Sequence, residues 1–134
     1  MTNNVKVEYV KFYADDIGKN ISNIFNDPDI GCINVHSYWG VDIIDAFFAL
    51  SEEVSFTCVS GDIRIIISSE AAPYKFKQYY LSGMDGKIVS IKEGTLFGVQ
   101  SLTNNCVLIG GSEREPNITN RVSNGIFKWT SKRV

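Results

Sequence analysis

The segment Phe56–Ile67, with the sequence FTCVSGDIRIII, places two apolar runs on either side of Ser60-Gly61-Asp62. Glycine at such a joint tolerates the positive φ angles of a tight turn. Beyond the turn, the run up to Ile67 is apolar on both faces except at Arg64. A strand of this kind is predicted to be central, covered on one face by the interior and on the other by a second sheet or a partner subunit. Because an exposed strand this apolar would aggregate, a homodimer is expected.

Similar short runs continue in both directions, separated by turn residues about every ten positions, a spacing typical of all-β proteins. We interpret them as eight or nine strands joined largely by hairpin turns, at about the strand length usual in globular domains. The runs are Val5–Tyr13, Gly31–Tyr38, Val54–Val59, Asp62–Ser68, Tyr74–Leu81, Lys87–Ile91, Leu96–Leu102, Cys106–Ile109 and Ile126–Trp129. The turns lie at Ser60–Asp62, Gly83–Gly86, Lys92–Gly94 and Thr103–Asn105.

Two segments depart from this pattern. Asp15–Asn26 has apolar residues at helical spacing, and Val41–Glu53 fits either a short helix or a strand through Ala46–Leu50. The chain shows no repeat, low-complexity tract or linker, so residues 1–134 are expected to form one domain. The predicted fold is an all-β jelly roll of about eight or nine antiparallel strands with one or two short helical segments.

Composition argues against several classes of function. With 13 Lys and Arg against 15 Asp and Glu, the formal charge of −2 provides no basic surface for nucleic acid. One His and three widely spaced cysteines, Cys32, Cys58 and Cys106, do not make a metal site, so no metal or other cofactor is expected. The chain lacks the features of a signal peptide and of a membrane span, which predicts a cytoplasmic protein with reduced thiols.

Several motifs, in order, resemble those of the RmlC-like cupins, the deoxysugar-nucleotide 3,5-epimerases and 3,4-ketoisomerases. They are Gly31–Tyr38, which contains a histidine late in a strand, then Phe56–Ile66, Tyr79–Ser82, Ile91–Gln100 and Asn124–Trp129. The resemblance covers most of the chain from Gly31 onwards and implies a cupin-like domain. It also implies a nucleotide-diphosphate 4-keto-6-deoxyhexose as substrate, epimerase or isomerase activity in cell-surface polysaccharide synthesis, and His36 as the catalytic base.

The chain departs from the family pattern at four positions. The family arginine that precedes the catalytic histidine falls on Ile33, and the second pocket histidine falls on Phe97. Cys106–Ile109, where the family has a catalytic tyrosine, contains no tyrosine. Thr130 and Ser131 occupy the place of the aspartate that orients the histidine. Relative to the family, the pocket has therefore lost most of its polar groups.

The residues near His36 suggest replacements. Tyr38 lies two positions further along the same strand, so both side chains are predicted to face the interior. A neutral imidazole can remove a carbon-bound proton at pH 7, and a tyrosine can supply one. Asp42 or Asp45 is the candidate for the missing carboxylate. We therefore predict His36 as catalytic and Tyr38 and Phe97 as substrate-binding.

Two alternatives stay open. The chain is either a catalytically degenerate cupin that binds a sugar or another small ligand or acts as a structural or regulatory dimer, or an unrelated jelly roll in which His36 is an ordinary core histidine. If the chain is an enzyme, we expect a polar pocket around His36. If it is a binding module, we expect an apolar or aromatic pocket around His36, Tyr38 and Phe97. A structural module predicts no cavity of about 300 Å³ or more.

Two conspicuous charged features are interpreted without a function. Arg64 is expected to reach solvent or to pair with Asp62. Glu113–Pro116 is expected to be a solvated loop.

Overall fold

The computed structural model describes residues 4–9, 12–14, 19–21, 24–25 and 27–129. The described residues contain twelve β-strands and, after the last of them, a single 3-10 turn at Asn124–Ile126. The strands are β1 (Val5–Tyr9), β2 (Phe12–Ala14), β3 (Lys19–Ile21), β4 (Cys32–Tyr38), β5 (Phe47–Leu50), β6 (Val54–Ser60), β7 (Asp62–Ser68), β8 (Phe76–Ser82), β9 (Lys87–Ile91), β10 (Leu96–Ser101), β11 (Cys106–Ser112) and β12 (Ile118–Val122).

Ten of these strands form two five-stranded sheets. Sheet 1 has the order β1-β9-β6-β11-β4, and sheet 2 has the order β12-β5-β10-β7-β8. Every pairing is antiparallel, and β2 and β3 form a separate two-stranded pair. The predicted all-β jelly roll is confirmed, although the described residues form twelve strands rather than the eight or nine predicted from the sequence.

The turns between strands connect the two sheets to each other. The connections after β6, β8, β9 and β10 all cross from one sheet to the other, so the hairpins predicted at these four turns are wrong. Only the β7–β8 connection is a hairpin among the connections between β6 and β11. A residue with positive φ suits a crossing as well as a hairpin, and Gly61, Gly86 and Gly94 supply one.

The main core lies between the sheets. Its centre consists of alternate residues of the two central strands, with Phe56 and Cys58 from β6 and Ile63, Ile65 and Ile67 from β7, all nearly inaccessible to solvent. Alternation along a strand sends every second side chain to this face, which is the period of two recognised in the sequence. The predicted central position of β7 is confirmed, since β10 and β8 pair with it on either side.

The opposite face of sheet 2 carries a second apolar cluster. Phe47, Ala49, Ile66 and Leu96 are buried there under the segment that ends at Trp129. The rings of Phe47 and Trp129 lie 5.6 Å apart. The outer face of β7 is therefore covered by its own chain, and the homodimer, which was expected partly to cover that face, stays a prediction.

Three sequence-based assignments are corrected. Val5–Tyr13 is divided between β1 and β2, which belong to different sheets. Within Asp15–Asn26, the described residues contain β3 rather than a helix, and residues 15–18, 22–23 and 26 lie outside the described part. The strand expected at Ile126–Trp129 is replaced by the 3-10 turn and an extended segment, and β12 lies earlier.

For Val41–Glu53, the strand alternative is confirmed by β5. No helix in the part of the chain that the structure describes is long and apolar enough to cross a membrane.

Arg64 does not reach solvent. It is only 1% exposed, its Nε donates to Oε1 of Gln100 at 2.9 Å, and Nη1 donates to Oε1 of Gln78 at 3.3 Å. The guanidinium group also lies 5.9 Å from the centre of the Tyr80 ring. Burial with amide and aromatic partners, on the outer face of sheet 2, replaces the solvated position expected from the sequence.

The second apolar cluster predicts a large effect of Phe47→Ala on stability. Phe47 is 0% exposed, and truncating a fully buried phenylalanine costs about 3–5 kcal/mol. Trp39→Ala is the matched control, because Trp39 is 85% exposed and its removal should change stability by less than about 0.5 kcal/mol. Urea unfolding followed by circular dichroism measures both. Equal effects of the two substitutions would contradict the burial of Phe47 under the Trp129 segment.

Candidate active site

A cavity of about 410 Å³ lies between the sheets, where β4 at the edge of sheet 1 faces β5 and β12 at the edge of sheet 2. Asn34, His36 and Tyr38 of β4 line one wall. The other lining residues are Asp45, Ala46, Phe48, Leu50, Val54, Phe56, Phe97, Val99, Leu108, Glu115, Pro116 and Ile118. The structure therefore brings His36, Tyr38 and Phe97, the three site residues predicted from the sequence, into one cavity.

The polar residues Asn34, His36 and Tyr38 of β4 face the cavity. It pairs with β11 so that His36 lies opposite Leu108 and Tyr38 lies opposite Cys106. Alternation then places Ile33 and Val35 on the outer face, where both are exposed. The family arginine replaced by Ile33 would consequently point away from this cavity, so its loss does not alter the cavity wall.

His36 is a neutral base at pH 7. Its ring meets the ring of Phe56 edge-on, with the centres 6.1 Å apart. The His36 side chain remains exposed to solvent on one side, and its partial desolvation against Phe56 lowers the pKa of the imidazole below 6.5, because the charged form loses part of its contact with water. A neutral imidazole can accept a proton from a substrate that enters the cavity.

Tyr38 is a protonated phenol in the same cavity. Burial raises the pKa of Tyr38 to about 12, and the negative charge of Asp45 acts in the same direction. The hydroxyl group therefore keeps its proton throughout the physiological range and is available as a donor. One wall of the cavity thus presents a proton acceptor and a proton donor two residues apart.

Of the two carboxylates proposed from the sequence, Asp45 lines the cavity. Asp42 does not line it, and its Oδ1 accepts a hydrogen bond of 2.8 Å from Nε2 of Gln100. Asp45 sits just before β5, where its Oδ1 also accepts a bond of 2.7 Å from the N–H of Ala46. That contact fixes the carboxylate at the rim of the cavity.

Most of the cavity wall is apolar. Phe97 packs against Phe56 with ring centres 5.5 Å apart, and both belong to the wall. The cavity is therefore of the mainly apolar and aromatic type predicted for a binding module, but it also contains a few polar groups. This combination is usual in sites for organic ligands, where a few polar groups determine orientation.

Two polar lining residues were missed from the sequence. Asn34 precedes His36 by two positions, so the period of β4 could have identified it. Glu115 belongs to the loop interpreted as solvated, and although it is exposed it also borders the cavity, as Pro116 does. Nothing in the local sequence pattern indicates that this loop returns to the mouth of the cavity.

Other reactive groups are less suited to chemistry. Burial raises the pKa of the Cys58 thiol to about 12, so it stays protonated and unreactive. No group of three or more His, Cys, Asp or Glu side chains comes together as a metal site within the described residues. Thr130 and Ser131, which take the place of the family aspartate, lie outside the described part of the chain.

Comparisons with solved structures identify the fold. No family model and no curated protein sequence matches this chain. A His-to-Asn variant of the 3,4-ketoisomerase QdtA from Thermoanaerobacterium thermosaccharolyticum, in complex with TDP-4-keto-6-deoxyglucose, matches with a TM-score of 0.71 at 19% identity, covering 93% of this chain and 91% of that one. The chain has the fold of the sugar-nucleotide ketoisomerases and epimerases.

Two epimerases have the same fold at lower coverage. The dTDP-4-dehydrorhamnose 3,5-epimerase from Bacillus anthracis, with TDP and PPi bound, has a TM-score of 0.68 at 15% identity, covering 84% of this chain and 73% of that one. NovW, a 4-keto-6-deoxy sugar epimerase from Streptomyces spheroides, has a TM-score of 0.66 at 14% identity, covering 84% and 64%. The resemblance to RmlC-like cupins seen in the sequence is thus confirmed for the fold.

The partial desolvation of His36 predicts how its imidazole titrates. Because the chain has one histidine, its imidazole C–H resonances in a proton NMR spectrum need no assignment. The midpoint in the folded protein should fall below 6.5, and unfolding in urea should return it to about 6.5, the unperturbed value. A folded-state midpoint at or above 6.5 would contradict the apolar environment described for the ring.

Proposed function

We propose that this protein binds a nucleoside-diphosphate 4-keto-6-deoxyhexose in the cavity and moves protons next to the ketone, with His36 as the base. The observation that supports this proposal most directly is the pair of a neutral imidazole and a protonated phenol on one wall of a cavity of about 410 Å³. The ligands named for the structural neighbours, TDP and TDP-4-keto-6-deoxyglucose, support the class of substrate.

The chemistry balances without a cofactor. His36 removes the proton from the carbon next to the ketone, and the electrons of the broken C–H bond form a carbon–carbon double bond. Tyr38 protonates the former ketone oxygen, which gives an enediol. Tyr38 then recovers a proton from the neighbouring hydroxyl group, while His36 returns its proton to the former ketone carbon. The ketone has moved by one carbon, and both side chains are restored.

The placement of the two groups favours ketone migration over inversion at a carbon. Residues two apart on a strand are separated by about 7 Å along one face, so His36 and Tyr38 act from the same side of a bound sugar. Migration can proceed with a single base that takes and returns a proton on one side, whereas inversion at a carbon needs an acid on the opposite side. The ketoisomerase neighbour, matched over 91% of its length, agrees with this choice.

The apolar wall suits the remaining parts of such a ligand. Phe97 and Phe48 lie beside each other on neighbouring strands and both face the cavity. Aromatic faces of this kind bind a 6-deoxy methyl group or stack on a nucleobase. We therefore propose Phe97, together with Tyr38, as substrate-binding.

A second candidate is a cupin that binds the same class of ligand without turnover. The observation that favours it is the predominance of apolar side chains in the cavity wall, including Phe97 and Leu108. The two candidates differ in whether carbon-bound hydrogen exchanges with solvent.

Exchange in D₂O tests the proposed base and acid. We expect wild-type protein to incorporate deuterium next to the ketone of TDP-4-keto-6-deoxyglucose, as followed by NMR. His36→Asn should abolish the incorporation, and Tyr38→Phe should slow it by about 100-fold or more, the usual contribution of a general acid. Tyr79→Phe is the matched control and should leave the rate unchanged, because Tyr79 does not line the cavity.

Each result distinguishes the candidates. Deuterium incorporation by His36→Asn at the wild-type rate would refute the assigned base. Binding of TDP by a folded wild-type protein that shows no exchange would favour the second candidate.

The pH dependence of exchange provides a further check. Because the pKa of His36 lies below 6.5, the base becomes protonated and the rate falls only as the pH drops below that value. On the alkaline side, Tyr38 keeps its proton until about pH 12, so the rate should be flat from pH 7 to pH 9. A rate that declines across this interval would argue against Tyr38 as the proton donor.

A further inference from the structure

A second cavity adjoins the first. It has a volume of about 380 Å³ and is lined by Asp45, Ala46, Arg121, Ser123 and Asn124. Asp45 and Ala46 also line the larger cavity, so the two share one rim. A ligand longer than a monosaccharide can therefore extend from one cavity into the other.

The position of Arg121 links the two cavities. Arg121 lies directly opposite Phe48 in the β12–β5 pairing, and its guanidinium carbon is 5.8 Å from the centre of the Phe48 ring. Since Phe48 lines the larger cavity, the cation stands at the boundary between the two spaces. Stacking on an aromatic face orients a guanidinium group while leaving its N–H donors available at the edge.

The charges around the two cavities are unequal. Among the lining residues that the structure describes, Asp45 and Glu115 are acidic, and Arg121 alone is cationic at pH 7. An anionic ligand therefore has one place in this site where its charge is matched. The current partner of Arg121 is weak, because Nη2 lies 4.0 Å from Oδ1 of Asp45 and the two side chains are 68% and 70% exposed.

Hydrogen bonds hold Ser123 and Asn124, two other residues that line the second cavity, in place. The hydroxyl group of Ser123 accepts a hydrogen bond of 3.2 Å from the N–H of Gly125, and the carbonyl group of Asn124 accepts one of 2.8 Å from Nε1 of Trp129. Trp129 is in turn packed against the second apolar cluster. The backbone that carries Ser123 and Asn124 is thus fixed by the core of the protein.

We propose that the second cavity binds a diphosphate group, with Arg121 as its anchor and Asp45 as the internal anion that the diphosphate displaces. This proposal rests on the proposed function, because it assigns the charged part of the nucleotide sugar to a subsite next to the sugar cavity. A guanidinium group can donate hydrogen bonds to two phosphate oxygens at once. Its present contact with Asp45 is a single, solvent-exposed pair at 4.0 Å, which is the weaker interaction. Once the diphosphate displaces Asp45 from Arg121, the Asp45 carboxylate beside the sugar cavity is no longer paired with a positive charge.

Isothermal titration calorimetry with TDP, thymidine and inorganic pyrophosphate tests the proposal. Arg121→Gln should weaken TDP binding about tenfold or more, the effect expected for a lost charge-assisted contact, and leave thymidine binding unchanged. Asp45→Asn should strengthen TDP binding severalfold, because the competing anion is removed. Arg114→Gln is the matched control, since Arg114 is 75% exposed, pairs with Glu52 at 3.4 Å and lines neither cavity.

The outcomes separate this subsite from the proposed function. TDP affinity of Arg121→Gln within twofold of wild type would overturn the subsite, as would a loss of equal size in Arg114→Gln. Arg121-dependent binding of pyrophosphate by a protein that does not bind TDP would support the subsite and refute the nucleotide-sugar substrate. Absence of binding by all three probes at millimolar concentration would overturn both, provided that circular dichroism shows the proteins folded.

Discussion

The crossing at Gly61 determines how the two sheets face each other. Gly61 has a φ of 76°, and a Cβ at this position would lie 2.7 Å from both Sγ of Cys106 and Oγ1 of Thr103. Hydrogen bonds join the same corner to two others, because the N–H of Asp62 donates to Oγ1 of Thr103 at 2.9 Å and the N–H of Gly83 donates to the carbonyl group of Gly61 at 2.9 Å. Three crossings between the sheets are therefore fastened together at one junction, and the inner faces of the strands that leave it must oppose each other.

What fills the space between the sheets then decides where a ligand can bind. Towards β9 and β8, the inner positions hold branched and apolar side chains such as Val89, Ile91 and Leu81, which close the gap completely. Towards β4, the inner positions are Asn34, His36 and Tyr38, and a cavity remains between them and the apolar side chains of sheet 2. The sequence of the edge strand β4 therefore explains both the position of the cavity and the polar residues on its wall.

The period of two is the sequence pattern that predicts this protein best. It predicts the bounds of β7 and β9, and it places His36 and Tyr38 on one face of β4, as the cavity confirms. It fails at β12, whose residues are nearly all exposed and show no alternation, and where pairing with β5 rather than burial creates the strand. Asp45, Glu115 and Arg121 lie in or beside such segments, so their approach to the cavity depends on tertiary connections that local patterns do not encode.

The positions in the cavity wall that depart from the cupin pattern make the cavity more apolar, and this affects the protonation states of His36 and Tyr38. Replacing polar pocket residues with groups such as Phe97 removes hydrogen-bonding partners, yet the same desolvation keeps His36 neutral and Tyr38 protonated at pH 7. In the proposed reaction, transfer of a proton to His36 and from Tyr38 would create two opposite charges on one wall, and their attraction in a low-dielectric space would offset part of the cost of forming them. The negative charge of Asp45 opposes ionisation of Tyr38, so it favours the protonated phenol. A cavity with few polar partners can therefore keep His36 neutral and Tyr38 protonated, the states that the proposed reaction requires, without the carboxylate that the family places after its closing tryptophan.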